Sequence, residues 1–300
     1  MKILLLGQNG QLGWELQRSL APLGELIALD RLSQQTSSLL CGDLTDLGGL
    51  RRTINSLKPD AIVNAAAYTA VDKAESEPQL AQLINEQAPQ VLAEEALKIG
   101  ALLVHYSTDY VFDGSGSRAW CETDATEPLS QYGQTKLAGE QAIKDSGCKY
   151  LIFRTSWVYS SRGNNFAKTM LRLAGERETL SVIHDQIGAP TSAALLADCS
   201  AHALRQAMNN PKLAGLYHLV ASGQTTWHDY ATFVIEHAQA MGKELLVNKI
   251  KPITTSEYPT AAERPLNSRL NTNKFCNSFQ LVLPEWQNGV IRMLNETIGN

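Results

Sequence analysis

The chain has 300 residues, 44% of them apolar, and its 26 basic and 30 acidic side chains leave a formal net charge of -4. That is enough apolar material for a sizeable core, in one large domain or in two unequal lobes, while the interspersed charges offer no basic face to a phosphate backbone and exclude nucleic acid as a partner. The opening run Ile3-Leu4-Leu5-Leu6 stops at Gly7, too short for a secretory leader, and no later run reaches a membrane-spanning length, which predicts a soluble cytoplasmic chain with no membrane partner.

From residue 1 to about 155, short apolar runs alternate with longer segments of helical periodicity. Strands are predicted at Lys2 to Leu6, Leu26 to Leu29, Ala61 to Asn64, Leu102 to Ser107 and Tyr150 to Arg154, each apolar nearly throughout, as strands covered on both faces are. Helices are predicted at Gln11 to Leu20, Leu47 to Leu57, Leu80 to Ile99 and Ser130 to Ser146. The alternation predicts an α/β fold, a doubly wound parallel (Rossmann) sheet forming a dinucleotide-binding domain over residues 1–155. Beyond Trp157 the regularity falls away into a helix from Phe166 to Ala174, a turn at Gly188-Ala189-Pro190 and a long helix from Ala193 to Ala207. Gly215 to Val220 reads as one more strand returning to the sheet. Further helices follow from Trp227, with a proline-punctuated stretch from Lys251 to Pro265, so residues 156–300 are mainly a smaller mixed α/β substrate-binding lobe. The cysteines, Cys41, Cys121, Cys148, Cys199 and Cys276, are odd in number and lack metal-ligand spacing, which marks them as reduced thiols. The six histidines show no paired spacing either, and no chemistry is assigned to them.

Gly7, Gly10 and Gly13 follow the first predicted strand and open the first helix, a context in which backbone can approach a pyrophosphate at a helix N-terminus. The spacing departs from GxGxxG and matches dehydrogenases of the extended short-chain type. Asp30 closes the second strand, about 20 residues on, where a carboxylate accepts hydrogen bonds from an adenosine ribose. Asp30 favours NADH, while Arg31 beside it could meet a 2′-phosphate, so NADH and NADPH both stay open. Asp43-Leu44 and Ala67-Tyr68-Thr69 lie at strand ends among small residues, where a flat base and ribose would pass.

Tyr132 and Lys136 are four residues apart on one predicted helix face. A phenol titrates near pH 10, and a neighbouring ammonium would lower that value, which makes Tyr132 a general acid. Lys136 would also hydrogen-bond the nicotinamide ribose. Thr108, directly after the Leu102 to Ser107 strand, offers a hydroxyl at the strand ends where open α/β sheets bind ligands.

Tyr106 to Phe112, Tyr132 to Glu140, Phe153 to Tyr159, Asn165-Phe166 and Arg264 to Ser268 together resemble the dTDP-4-dehydrorhamnose reductase family of extended short-chain dehydrogenases/reductases, in order and through essentially the whole chain. The resemblance implies NAD(P)H-dependent reduction of the C4 ketone of dTDP-4-dehydro-L-rhamnose, the last step of dTDP-L-rhamnose synthesis. It implies that Tyr132 protonates the emerging alkoxide, that Lys136 tunes it and holds the ribose, and that Thr108 orients the carbonyl. Asp109 and Trp157 would contact the sugar, Trp157 as an aromatic wall. Gly10, Gln11, Leu12, Asp30, Asp43, Leu44, Ala67, Tyr68, Thr69 and Tyr106 fall at the family's cofactor positions. Arg264 and Arg269 are candidate charge partners for the diphosphate.

The resemblance also implies a homodimer, in some relatives bridged by Mg2+ through glutamates. Glu15 and Glu296 match two of those positions; the third holds Ala194, and loss of a carboxylate weakens a site for a hard cation. The sequence admits other readings of the fold. A sugar-nucleotide 4,6-dehydratase would want an acid after Asp109, where this chain has Tyr110, and a C4 epimerase would use the same Tyr/Lys chemistry. A non-catalytic module like the regulatory subunit of methionine adenosyltransferase would not need Thr108, Tyr132 and Lys136 together.

Overall fold

The computed structural model describes residues 1–32 and 40–299. Its first half runs β1 (Lys2–Leu6), α1 (Gln11–Leu20), β2 (Glu25–Leu29), α2 (Leu47–Leu57), β3 (Ala61–Asn64), α3 (Val71–Ala74), α4 (Pro78–Gln82), α5 (Ala88–Ile99), β4 (Leu102–Thr108), α6 (Gln131–Asp145) and β5 (Lys149–Thr155). The second half adds β6 (Val158–Tyr159), α7 (Phe166–Glu176), β7 (Thr179–Ile183), β8 (Ile187–Gly188), β9 (Thr191–Ser192), α8 (Ala193–Asn209), β10 (Gly215–His218), β11 (Thr225–Thr226), α9 (Trp227–Ala240), β12 (Lys249–Ile253), α10 (Asn273–Phe279) and α11 (Trp286–Ile298).

Six strands form one parallel sheet in the order β10-β5-β4-β3-β1-β2. Because side chains alternate along each strand, the sheet has two apolar faces and two helical layers to cover them. Ile3, Leu5, Val63, Val104 and Phe153 pack with Leu16 of α1, Leu196 and Leu204 of α8 and Phe275 of α10. Leu4, Leu6, Ile62, Leu103 and Ile152 pack with Leu50 of α2, Leu92 of α5 and Ile143 of α6. β10 joins the sheet beside β5, as the sequence predicts, and α8 and α10 also come from the second half. β2 differs from expectation: it is the sheet edge, with Glu25 exposed and only Leu29 fully buried.

The order of strand addition reverses between β1 and β3, since β2 lies on one side of β1 and β3 on the other, so the carboxyl ends of those parallel strands open a crevice at the switch point. The rest of the second half is stapled by short ladders: β6 with β9, β8 with β11, and β7 with β12. The last pair puts a strand, not predicted from the sequence, at the start of the proline-punctuated stretch. β12 carries Lys249, Lys251 and Pro252 on an exposed edge, a composition that hides a strand from periodicity.

The single helix predicted from Leu80 to Ile99 is instead α4, one π-helical turn over Leu83–Gln87, and α5. Pro89 has no N–H to give the carbonyl of Asn85 four residues earlier, so that carbonyl is freed. It lies against α6, where a Cβ on Gly139 would stand 2.1 Å from it. α6 is held on its other side by a buried ion pair: Arg154 of β5 donates from Nε and Nη2 to Glu140 at 2.8 and 2.7 Å, with both side chains essentially inaccessible. Burial opposes ionisation of Glu140, but Arg154 outweighs it and holds the carboxyl below its ordinary range.

Glu140→Gln leaves a buried guanidinium without its counter-charge and is expected to cost about 3 kcal/mol in urea unfolding near neutral pH. A depressed carboxylate stabilises above its unfolded-state pKa and loses that contribution as pH falls through its folded value, so the gap between the two proteins is expected to narrow in acid.

Candidate active site

β1 ends in a tight turn in which Gly7 adopts φ +88° and its carbonyl accepts from Gly10 N–H at 3.0 Å. A Cβ on Gly13 would lie 2.0 Å from that same carbonyl, so helix and turn can approach this closely only with glycine. Gly10 caps α1 without a side-chain hydrogen bond, which leaves the first-turn N–H groups, those of Gln11, Leu12 and Gly13 among them, directed at a prospective anion. This cradle fits a dinucleotide pyrophosphate. The Gln11 side chain turns aside, its Oε1 accepting from Ser160 Oγ at 3.3 Å and Asn165 Nδ2 at 3.2 Å.

Asp30 stands across the turn, where its carboxylate accepts from Leu32 N–H at 2.8 Å, from Gln8 Nε2 at 3.5 Å and from the Asn9 amide. Gly42 packs on the Asp30 backbone and brings Asp43 and buried Leu44 alongside; Asp43 Oδ1 accepts from both the N–H and the hydroxyl of Thr45 at 2.9 Å. Ala67, Tyr68 and exposed Thr69 follow β3. The sequence reading missed what fixes them: Asn85, in the π turn, accepts from Tyr68 N–H at 2.9 Å and donates to Tyr68 O at 3.1 Å and Thr135 Oγ1 at 3.2 Å. Its only trace in the sequence is an asparagine four residues before Pro89.

α6 begins at Gln131, whose N–H is capped by Glu75, while Ser130 Oγ accepts from Gly133 N–H. That start sets Tyr132 beside the end of β4, within hydrogen-bonding reach of the Thr108 hydroxyl. Thr108 Oγ1 donates to Asp109 Oδ1 at 3.1 Å and accepts from Tyr110 N–H at 3.2 Å, and the Tyr110 ring stands edge-on to Tyr132 at 5.5 Å. The Thr108 hydroxyl thus stands between the Asp109 carboxyl and the Tyr132 phenol, with one proton to offer. Lys136 is 1% exposed, and its Nζ donates to the Tyr106 carbonyl at 2.6 Å and lies 3.3 Å from His105 Nε2. Tyr106 thus meets Lys136 through backbone, while its phenol turns away into the core to donate to Ser200 Oγ at 2.7 Å. His105 is a second neighbour the sequence reading passed over; it interrupts an otherwise apolar strand, and Asn64 Nδ2 sits 3.2 Å from its Nδ1.

The electrostatics differ from the simple picture of an ammonium acidifying a phenol. Burial pushes Tyr132 up to about 12, with the Thr108 hydroxyl pulling it back and Asp109 raising it further. Burial pulls Lys136 down to about 8, against the attraction of Glu140 one turn away. His105 is held neutral, first by burial and then by Lys136. Asp109, 2% exposed, is raised by burial to about 6, with Ser268 and Thr108 drawing it back.

Trp157 lies just past β5 with a left-handed backbone, φ +49°, and its indole stacks on Trp227 at 3.6 Å between ring centroids. The two arginines proposed for the diphosphate are otherwise engaged. Arg264 Nη2 donates to Asp72 at 2.8 Å, and Arg269 donates to Asn267 Oδ1 and the Ser117 carbonyl. Glu15 and Glu296 do come together, lining a cavity of about 270 Å3 with Ala194. Glu15 pairs with Arg18 at 3.5 Å and Glu296 with Arg292 at 3.0 Å, and nearby Asp198 is held by Arg18 and Ser19. Among the described residues of one chain no group of three or more His, Cys, Asp or Glu side chains is arranged to hold a metal, and Ala194 brings no carboxylate to the cavity that Glu15 and Glu296 line.

A glycine turn at the switch point of a doubly wound sheet, with Tyr132 and Lys136 on the helix after β4, defines a nucleotide-dependent oxidoreductase of the extended short-chain type. The chain belongs to the RmlD substrate binding domain family, whose model matches residues 1–298. It is 62% identical over 296 residues to a dTDP-4-dehydrorhamnose reductase of Escherichia coli K12, covering 99% of this chain and 98% of the relative, and 61% identical over 296 residues to the protein of that name from Salmonella typhimurium. A solved dTDP-4-dehydrorhamnose reductase of Bacillus anthracis, in complex with NADP, superposes with a TM-score of 0.87 at 36% identity over 99% of each chain.

Lys136 titrates below the 10.5 of free lysine, so the unfolded chain binds more protons between about 8 and 10.5 and stability rises with pH across that window. Lys136→Met removes the buried charge. Its stability advantage over the parent is expected to shrink by about 2 kcal/mol on going from neutral pH to about pH 10 in urea titrations.

Proposed function

We propose that this protein reduces the C4 ketone of dTDP-4-dehydro-L-rhamnose to give dTDP-L-rhamnose, with NADH or NADPH as reductant. The observation that carries the reading is the near full-length identity to reductases of that name in a chain that sets Thr108, Tyr132 and Lys136 around the carboxyl end of β4. Position 110 is a tyrosine turned edge-on to Tyr132, so no acid stands there for the dehydration of a related sugar nucleotide.

When bound, the nicotinamide supplies the hydride that adds to C4. The turn from Gly7 to Gly13 and the first-turn amides of Gln11 and Leu12 hold the pyrophosphate, Asp30 takes the adenosine ribose, and Asp43, Leu44, Ala67, Tyr68 and Thr69 line the base and ribose path. Tyr132, a phenol protonated at neutral pH whose proton burial holds more tightly still, gives it to the oxygen that becomes the C4 hydroxyl. A phenol this weakly acidic releases its proton only as full negative charge develops on that oxygen, which ties protonation to hydride arrival. Lys136, anchored by the Tyr106 carbonyl, is directed to the nicotinamide ribose. Thr108 orients the ketone once its proton is drawn from Asp109, and Asp109 and Trp157 face the sugar.

Residues 1–155, completed by β10, form the dinucleotide-binding domain in this reading, and 156–300 mainly the substrate lobe. A cytoplasmic homodimer accompanies it, and with alanine at position 194 its assembly does not require a cation bridged by Glu15 and Glu296. No helix among the described residues is long and apolar enough to cross a membrane. Sedimentation equilibrium with and without EDTA tests the dimer; a monomer, or a dimer dissociated by chelation, contradicts it.

Turnover is read from NAD(P)H oxidation with the keto sugar generated in situ and from identification of the product; a folded, cofactor-binding protein that yields no dTDP-L-rhamnose overturns the assignment. Tyr132→Phe is expected to lower kcat more than about 100-fold with the cofactor KM little changed. Near-normal turnover would remove Tyr132 as the donor. Asp30→Ala is expected to raise the KM for NADH more than that for NADPH, and equal changes would cancel the ribose assignment.

A further inference from the structure

Trp157 is held in its place by two residues that neither strand periodicity nor motif singles out. Its backbone is in the left-handed region, which a tryptophan occupies only when its surroundings over-determine it. One part of those surroundings is Trp227, stacked nearly parallel at 15° and itself fixed: its Nε1 donates to Gln186 Oε1 at 3.0 Å, and Phe166 and Tyr230 pack around the ring. The other part is Gly188, whose missing side chain makes the space. A Cβ there would lie 2.7 Å from Trp157 Cε2, 2.9 Å from Cζ2 and 3.1 Å from Nε1.

A single two-residue ladder delivers both parts. β8 and β11 pair Gly188 with Thr225 and Ile187 with Thr226, and Trp227 is the next residue, the first of α9. The same β8 backbone grips the segment beside Asp109, for Ile187 N–H donates to Leu266 O and Ser268 N–H to Ile187 O, both at 2.8 Å, and Ser268 reaches Asp109. The ladder therefore sets two groups at once: the indole and the buried acid next to Thr108.

We propose that Gly188 and Trp227 are specificity-determining positioning residues, which clamp the Trp157 indole at one pitch so that it accepts the apolar C–H face of a deoxysugar ring. The proposal rests on the reading that Trp157 faces the sugar. An aromatic wall rewards contact only where its plane matches that of the ring, so pitch carries the selectivity.

Parallel indoles at this separation couple excitonically, and the resulting couplet in far-ultraviolet circular dichroism reports their mutual orientation independently of turnover. Gly188→Ala keeps both tryptophans; it is expected to collapse the couplet and raise the KM for dTDP-4-dehydro-L-rhamnose about tenfold, with the KM for NAD(P)H within about twofold. Trp227→Leu is expected to split the two KM values in the same way, and Trp227→Phe, which keeps a flat plate, to restore the sugar KM to within about threefold of the parent. An unaltered couplet in Gly188→Ala overturns the clamp, and a collapsed couplet with an unchanged sugar KM overturns its role in specificity. An unchanged sugar KM in Trp157→Ala would instead overturn the underlying reading that this indole faces the sugar. Should Gly188→Ala fail to fold, the KM split of Trp227→Leu against Trp227→Phe decides: equal sugar KM values in the two variants overturn the proposal.

Discussion

The buried pairing of Arg154 with Glu140 is the constraint from which the catalytic geometry follows. A carboxylate and a guanidinium removed from water are costly apart and tolerable only together, in a bidentate arrangement. That requirement fixes the roll and height of α6 against β5. Tyr132 and Lys136 ride on the same helix, two turns and one turn before Glu140, so their positions are set by a contact in which neither takes part. On its other flank α6 meets the π turn, where Asn85 bonds Thr135 through its side chain and approaches Gly139 through its carbonyl. One helix is thus pinned from both sides, and the strand end it faces, Thr108, belongs to the strand hydrogen-bonded to β5.

Within that frame, burial dominates the charges. Lys136 has its ammonium in a carbonyl's grasp next to a neutral imidazole, and the fold tolerates it at the expense of proton affinity. Tyr132 keeps its proton more tightly than a free phenol, and Asp109 holds one well above the normal carboxylate range. These directions share a cause, desolvation disfavouring whichever form is charged. The protein alone therefore leaves its acid reluctant, and charge developing on a bound ligand must supply the drive.

Much of this was legible in the sequence, and the residues say why. Lys2 to Leu6, Leu47 to Leu57 and Ala61 to Asn64 were read with the bounds they have, because uninterrupted apolar runs and helical periodicity are local signals. The glycine turn was legible because Gly7 and Gly13 are demanded by backbone approach. Side-chain contacts that join distant segments were not legible: Asn85 to Tyr68, His105 to Lys136, Arg264 to Asp72. Nothing in the neighbourhood of Arg264 announces an aspartate 192 residues earlier. β12 was missed because lysines and a proline on an exposed edge carry no periodic signal, and the π turn because one missing N–H leaves the surrounding helical pattern intact.

The returning strand has a consequence for the birth of the molecule. β5 has one neighbour in β4, and its other edge is closed only by β10, which begins at residue 215; the apolar side of α1 waits in the same way for α8. During synthesis the first five strands therefore emerge with an open hydrogen-bonding edge and an uncovered hydrophobic layer. They remain so until more than two thirds of the polypeptide has left the ribosome. Such an unfinished sheet is a template for illegitimate pairing with other chains. Its completion must also wait for contacts of large sequence separation, which slows folding.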